Sequence, residues 1–134
     1  VNEKHPLAQK ESVTIEDLQG EPMFIESSQF HIYHLITERC EEAGFEPDII
    51  FQTSGFSLCH KMVKANKGIS VAVDFVFDDM REDGLKLIPF SDGNYEWKAC
   101  MLTRRDEEEN EGVQCFRKHV QEWLQKIRSG EIIR

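Results

Sequence analysis

The fold is decided by residues 23–73, which read MFIESSQF HIYHLITERC EEAGFEPDII FQTSGFSLCH KMVKANKGIS VAV. Short apolar runs at residues 23–25, 48–51 and 69–73 predict three strands, and the segments between them have apolar residues at helical spacing. Strand, helix, strand, helix, strand is the order of an α/β protein with a mostly parallel sheet flanked by helices. The third run is apolar enough to predict a central strand of that sheet.

The flanking segments add shorter elements. A capped helical turn is predicted at residues 14–18 and a short helix or turn at residues 74–80. Residues 85–90 and 95–103 predict strands. The clearest helix comes last, after an acidic loop at residues 106–111. Its apolar stripe consists of Val113, Phe116, Val120, Trp123, Leu124 and Ile127.

Composition narrows the class of protein. The chain has 134 residues and a net charge of −9, so it is one domain whose acidic surface repels the phosphates of nucleic acid. No apolar run approaches the roughly 20 residues that cross a bilayer, and the first residues lack the apolar core of a signal peptide. The missing initiator Met suggests a piece of a longer chain. The four cysteines form no Cys-x-x-Cys pair, so we expect reduced thiols in a cytoplasmic protein and no zinc site.

Two polar loops follow the first and second strands, where ligands bind in parallel sheets. Both loops offer hydroxyls and backbone amides at the start of a helix, which suits an anionic ligand. Gly55 would let the backbone approach a ligand closely. For each loop the alternative is an ordinary helix cap, with Phe56 in the core. The predicted contacts are Thr53, Ser54, Gly55, Phe56 and Ser57 in the second loop and Ser27, Ser28 and Gln29 in the first.

Other patterns are weaker candidates for chemistry. His31 and His34 could share a metal, but no third His or Cys is placed to complete a zinc site, so we predict no metal. Cys59 and His60 are neighbours on a helix and point about 100° apart, which argues against a nucleophile with its base. We therefore predict no catalytic residue and no cofactor.

Several segments together resemble the effector-binding domain of LysR-type transcriptional regulators. In that family an "HPLA" stretch precedes a "dL.g.P" turn, a helix ends in "AGF.P", and "lV.aG.GIal" and "L..ip" segments follow. The order and spacing hold from about residue 5 to residue 128. The matching segments here are residues 5–8, 18–22, 40–47, 62–70 and 85–90. Asn66, Lys67 and Asp74 depart from the pattern, which concerns the shape of the pocket and not the fold.

The resemblance implies a fold like that of type II periplasmic binding proteins, in which two α/β lobes enclose a small molecule. Residues 5–95 would form the second lobe of the effector-binding domain. Residues 96–134 would supply a return strand at 97–105 and a C-terminal helix belonging to the first lobe. The rest of that lobe and the DNA-binding helix-turn-helix would precede this segment. The apolar stripe of the last helix would then need a cover, which favours a homo-oligomer or a repositioned helix.

The implied function is an effector-sensing module of a DNA-binding transcription factor. We expect a small organic effector carrying a carboxylate, DNA contact only through the absent N-terminal segment, and no membrane partner. Two alternatives stay open. A solute-binding module outside transcription would have an export signal upstream, and a small α/β enzyme would place a titratable residue with a perturbed pKa in the crevice. In the two loops only Glu26 could be that residue.

Overall fold

A computed structural model describes residues 1–80, 82–95, 100–102 and 110–129. The chain divides into two compact units, Val1–Lys98 and Ala99–Arg134. The first unit contains the sheet and the second contains one long helix. The division lies three residues from the boundary expected at 95/96. The assignment of the two parts to different lobes stays a prediction.

The first unit is built on three parallel strands. The strands are β1 (Met23–Glu26), β2 (Ile49–Thr53) and β3 (Ile69–Ser70), in the order β2-β1-β3. They alternate with α1 (His31–Glu42) and α2 (Phe56–Lys64), as the sequence order predicts. Short 3-10 helices at Pro6–Gln9 and Ile15–Leu18 precede the sheet, and α3 (Asp74–Asp79) follows it.

The prediction that the third apolar run forms the central strand is wrong. β1 lies in the centre of the sheet, with all four residues buried, and β3 is a two-residue neighbour at its side. Two further apolar residues of the run, Val71 and Val73, are half-buried and pack against the core outside the sheet. Their apolar character predicts contact with the core. It does not show whether such residues also form backbone hydrogen bonds with a neighbouring strand.

The two main helices cover opposite faces of the sheet. Met23 and Ile25 belong to the same core cluster as Ile32 and Ile36 of α1. Phe24, whose side chain points to the other face, packs with α2. Its partners there are Cys59 and Val63. The alternation along one four-residue strand therefore separates α1 from α2.

The buried side of α2 differs from the predicted one. From the sequence, helical spacing predicts an inner side made of Leu58, Met62, Val63 and Ala65. In the structure Leu58 is 40% exposed, Met62 is half-buried and Ala65 is exposed. The structure buries Cys59, His60 and Val63 instead. Each residue along a helix is rotated by about 100° from the one before it. A contact at Cys59 instead of Leu58 therefore turns a different side of α2 toward the sheet. Phe24 selects Cys59 and Val63, which are four residues apart and so lie one above the other.

The segment after α3 is held by single contacts rather than by a strand. The predicted strand at residues 85–90 is absent: within the described ranges, isolated bridges alone pair Asn2 with Leu85 and Val13 with Phe90. Asp92 then ties the chain down: Oδ2 accepts from the Ile15 amide at 2.7 Å and Oδ1 from the Tyr95 hydroxyl at 3.0 Å. The segment therefore docks on the core without extending the sheet.

The predicted strand at 95–103 lies largely outside the described residues. Of its positions, Tyr95 and residues 100–102 are described, and none of these is in a strand. The expected acidic loop at 106–111 is described only from Asn110 onward. In the second unit, the predicted last helix is confirmed as α4 (Glu111–Arg128). Asn110 caps it by accepting from the Val113 amide at 3.0 Å.

Candidate ligand-binding site

The two polar loops lie side by side at the carboxyl edge of the sheet. Glu26 at the end of β1 is in register with Thr53 at the end of β2. One step further, the Ser27 amide donates to the Thr53 carbonyl oxygen at 2.9 Å. This contact brings the first predicted loop, Ser27, Ser28 and Gln29, next to the second, which begins at Thr53.

At the carboxyl ends of β1 and β2 the chain leaves the two neighbouring strands toward opposite faces of the sheet. From β1 the chain leaves to α1 on one face of the sheet, and from β2 it leaves to α2 on the other. Loops that part in this way border a crevice, and in open α/β sheets that crevice is the usual ligand site. The topology therefore gives the two loops a functional position, independent of their composition.

The first loop does not cap its helix. The chain makes a turn at Ser28 and Gln29, closed by the Phe30 amide donating to the Ser27 carbonyl oxygen at 3.0 Å. α1 begins only at His31, and its N-cap residue is Phe30, whose side chain cannot accept a hydrogen bond. The alternative assignment of Ser27 or Ser28 as an ordinary N-cap is therefore wrong. Their hydroxyls are not used to start the helix.

The second loop is shorter than predicted because β2 continues through Gln52 and Thr53. The Thr53 hydroxyl accepts from the Gly55 amide at 3.1 Å, and Gly55 is the N-cap of α2. Glycine has no side chain, so Ser54 and Ser57 are not N-caps either. Both serines are exposed, whereas Phe56 is half-buried. A Cβ atom at Gly55 would meet only the Thr53 hydroxyl, 3.9 Å away.

Glu26 is the residue that sequence reasoning underrated. The sequence places Glu26 in the first loop, but in the structure it is the last residue of β1 and only 3% exposed. Within the described part of the chain, its Oε1 is buried and has no hydrogen-bond partner. Burial raises the pKa of this carboxyl above its usual value. Period-two alternation from Phe24 could have indicated that Glu26 faces inward under α2.

Two neighbours mark the surroundings of Glu26. Burial raises the pKa of the Cys59 thiol, a hydrogen bond with Ser70 lowers it, and the nearby Glu26 carboxyl raises it further. Cys59 is in the first turn of α2, and Ser70 ends β3. The Glu26 carboxyl therefore lies where the carboxyl ends of the strands meet the start of α2.

The weaker candidates gain little from the structure. The His34 ring Nε2–H donates to the Ser28 carbonyl oxygen at 2.8 Å, which holds the first loop, and His31 is exposed. Among the described residues, no group of three or more His, Cys, Asp or Glu side chains could hold a metal ion. Cys59 and His60 are both buried, and burial disfavours the charged form of each: the thiol pKa is raised and the imidazole pKa is lowered.

Comparison with known proteins places this architecture in a family. The family model described as the LysR substrate binding domain matches residues 1–125. The chain belongs to the LysR substrate-binding domain family. The parallel α/β sheet flanked by helices is accordingly a lobe of the type II periplasmic-binding-protein kind.

The relatives of this LysR-type domain are regulators. The uncharacterized HTH-type transcriptional regulator YwbI of Bacillus subtilis is 27% identical over 92% of this chain and 41% of its own length. The HTH-type transcriptional regulator AlsR of the same organism is 35% identical over 50% of this chain and 23% of its own length. The HTH-type transcriptional regulator CysB of Burkholderia cenocepacia is 28% identical over 63% of this chain and 27% of its own length.

A solved structure also matches part of the LysR-type domain. It is the C-terminal domain of a probable LysR family transcriptional regulator from Rhodococcus sp. RHA1, with 27% identity and a TM-score of 0.48. The match covers 54% of this chain and 35% of that one. The chain thus spans between 23% and 41% of the length of these relatives.

Proposed function

We propose that this LysR-type domain is the effector-sensing module of a DNA-binding transcription factor, and that its effector binds between the loops after β1 and β2. The observation that carries the proposal is the 2.9 Å bond from the Ser27 amide to the Thr53 carbonyl oxygen. It joins the starts of two helices whose N-cap residues make no side-chain hydrogen bond. Both starts lie at the carboxyl ends of the strands, where ligands bind in parallel sheets.

The chemistry of the loops favours an effector that carries a carboxylate. The first amides of α1 and α2 have no side-chain oxygen from their N-cap residues to accept them. An anion near such a terminus gains about 0.3–1 kcal/mol from each helix dipole, in addition to its hydrogen bonds. The hydroxyls of Ser27, Ser28, Ser54 and Ser57 and the Gln29 amide can complete the set of donors.

Sensing requires that the effector bind two conformations of the protein unequally. We propose that residues 5–95 are the second lobe, that residues 96–134 return to the first lobe, and that the effector bridges the two. A change in lobe closure then alters the geometry of a homo-oligomer and with it the placement of the DNA-binding segments. The support is that the relatives described above are HTH-type transcriptional regulators.

We propose a role in binding and not in catalysis. The perturbed pKa of Glu26 is what an enzyme would require, but a buried acid alone is not a reaction centre. The Cys59 thiol beside it is kept protonated by burial, so it supplies no nucleophile. A solute-binding role outside transcription is disfavoured because the relatives named above are regulators.

The proposed location is the cytoplasm, where a transcription factor meets DNA. No helix in the described ranges is long and apolar enough to cross a membrane. The described cysteines are all free thiols, which suits a reducing compartment. We propose contact with DNA only through a segment outside these 134 residues, because the net charge here is −9.

The test is a binding screen on the full-length regulator that contains this chain. Small carboxylates are ranked by the rise in thermal unfolding midpoint, and the best is titrated against operator-bound protein in a mobility-shift assay. The double variant Ser54→Ala, Ser57→Ala should weaken the carboxylate by about fivefold or more, the worth of one hydrogen bond of ~1 kcal/mol. The matched control Ser91→Ala, an exposed serine elsewhere in the first unit, should bind normally. Equal weakening by both variants would contradict the proposed site.

A further inference from the structure

We propose that Glu26 determines the specificity of the crevice by accepting a hydrogen bond from an ammonium group of the effector, so that the effector is a zwitterion such as an α-amino acid. This inference rests on the proposed function and deepens it. The loops hold the anionic end of such a molecule, and Glu26 holds its cationic end.

The first argument is the state of the carboxyl group. Glu26 is 3% exposed, and its Oε1 has no hydrogen-bond partner within the described residues. Buried polar atoms are almost always hydrogen-bonded, and an exception is commonly explained by a water, an ion or a ligand. Among the described residues no cation contributes to the pKa of Glu26, and burial accounts for the direction of its shift.

The second argument is position. Glu26 ends β1 and is in register with Thr53, so it stands directly before the amide that joins the two loops. Its side chain lies on the α2 face, near Cys59 in the first turn of that helix. The carboxyl therefore belongs to the end of the sheet at which the two loops begin.

The third argument is charge complementarity. An effector with only a carboxylate would bring a second negative charge toward Glu26, and two like charges in a buried site repel. An ammonium group removes this conflict because it neutralises Glu26 and donates to it. A charge-assisted hydrogen bond of this kind is about twice as strong as a neutral one.

The neighbours of Glu26 cannot replace the ammonium. The Cys59 thiol, whose pKa the Glu26 carboxyl raises, is only a weak hydrogen-bond donor. The Thr53 hydroxyl accepts from the Gly55 amide, and its own proton makes no hydrogen bond to Glu26 Oε1. The ammonium group of a ligand would therefore be a stronger hydrogen-bond donor to the Glu26 carboxyl than these neighbours are.

The experiment uses the full-length regulator and matched pairs of probes. Each common L-α-amino acid is compared with the carboxylic acid that lacks only its amino group, for example alanine with propionate. Affinities are measured by thermal shift and then by calorimetry for the wild type, Glu26→Gln, Glu26→Asp and the exposed control Glu38→Gln. The unliganded thermal midpoint of each variant checks that it is folded.

The expected result is a preference of about tenfold to a hundredfold for one or more amino acids over their partners, the worth of a hydrogen bond to a charged group. Glu26→Gln should reduce that ratio to about one, Glu26→Asp should keep part of it, and Glu38→Gln should keep all of it. A general loss of packing would lower the affinity for both members of a pair and leave the ratio unchanged.

Two outcomes would overturn the inference. If simple carboxylates bind as tightly as the amino acids, and their binding depends on Ser54 and Ser57, the proposed function stands and the role of Glu26 is wrong. The role is also wrong if Glu26→Gln retains the preference. If no carboxylate of either class binds, the proposed site fails and the inference fails with it.

Discussion

The Ser27 amide donates to the Thr53 carbonyl oxygen across 2.9 Å and joins the loop after β1 to the loop after β2. This bond belongs to the last pair of the parallel β1–β2 ladder, Glu26 and Thr53. Because the chain leaves the two strands toward opposite faces, the bond lies at the base of the proposed crevice. The most informative substitutions therefore lie beside it.

Gly55→Ala should weaken effector binding without destabilising the domain. The backbone at Gly55 has φ of −127°, which any residue adopts, and a Cβ would contact only the Thr53 hydroxyl at 3.9 Å. The added methyl would point into space that the effector needs, so we expect an affinity loss of about tenfold, the lower end for one misplaced carbon. Calorimetric titration gives the affinity, and thermal unfolding gives the stability. A stable variant with unchanged affinity would exclude close approach of the ligand to Gly55.

Gly68→Ala should destabilise the sheet severely. Gly68 has φ of +154°, and a Cβ there would overlap the Pro22 carbonyl oxygen and lie 2.9 Å from the Pro22 carbonyl carbon. That same oxygen accepts from the Ile69 amide at 2.8 Å and leads β3 into the sheet. We expect the free energy of unfolding to fall by about 3 kcal/mol or more, from overpacking and backbone strain together.

The control for this substitution is Gly84→Ala. Gly84 has φ of +86° and open space around its Cβ position, so only the backbone cost of about 1–2 kcal/mol applies. Urea titration of both variants measures the difference. Similar losses at the two positions would contradict the close approach of Gly68 to Pro22.

His60 should make the domain less stable in acid. The imidazole is 4% exposed, packs edge-on against Phe77, and has no hydrogen-bond partner on either nitrogen within the described residues. Burial lowers its pKa below 6.5, although Glu82 partly opposes the shift. The unfolded state then binds the proton more readily, so the stabilising contribution is complete above about pH 6.5 and is lost as pH falls through the folded pKa.

The measurement is the free energy of unfolding between pH 5 and pH 8 for the wild type and His60→Phe. One group can contribute a slope of at most about 1.4 kcal/mol per pH unit. The slope assigned to His60 should disappear in His60→Phe and persist in the control His31→Gln, because His31 is exposed. An acid slope that survives His60→Phe would assign it to other groups.

Glu26 should make the unliganded domain less stable as the pH rises, which is the opposite of the effect of His60. Burial raises its pKa above 4.5, so the folded state holds the proton longer than the unfolded state does. Without effector, stability should therefore fall as pH rises from about 4.5 through the folded pKa. Glu26→Gln should remove this loss and make the unliganded protein more stable than the wild type at pH 8. A Glu26→Gln protein that is less stable than the wild type at pH 8 would mean that the carboxylate already has a stabilising partner.

The order of elements could be predicted from the sequence because each one carries a local signal. Apolar periodicity placed β1, α1, β2, α2 and α4, and Asn66 has the positive φ of 52° expected for a residue that ends a helix. Resemblance to a family supplied the architecture. These signals depend on residues that are close together in the chain, so they can be recognised in the sequence alone.

The details of the site depend on contacts that are distant in sequence. The lengths of β2 and β3 follow from pairing with β1, and the buried face of α2 follows from Phe24. The serines looked like caps because serine favours helix starts, yet Phe30 and Gly55 occupy the N-cap positions. Period-two alternation from Phe24 indicates which face of the sheet Glu26 lies on. Its burial depends in addition on α2 covering that face, which is a contact between residues distant in sequence.

The most direct test of the central claim is a crystal structure of the full-length regulator with the compound that raises its thermal midpoint most. The account predicts density for that compound between the two loops, with hydrogen bonds from the amides or hydroxyls of residues 27–29 and 54–57. Density at another place, with both loops free of the compound, would contradict it.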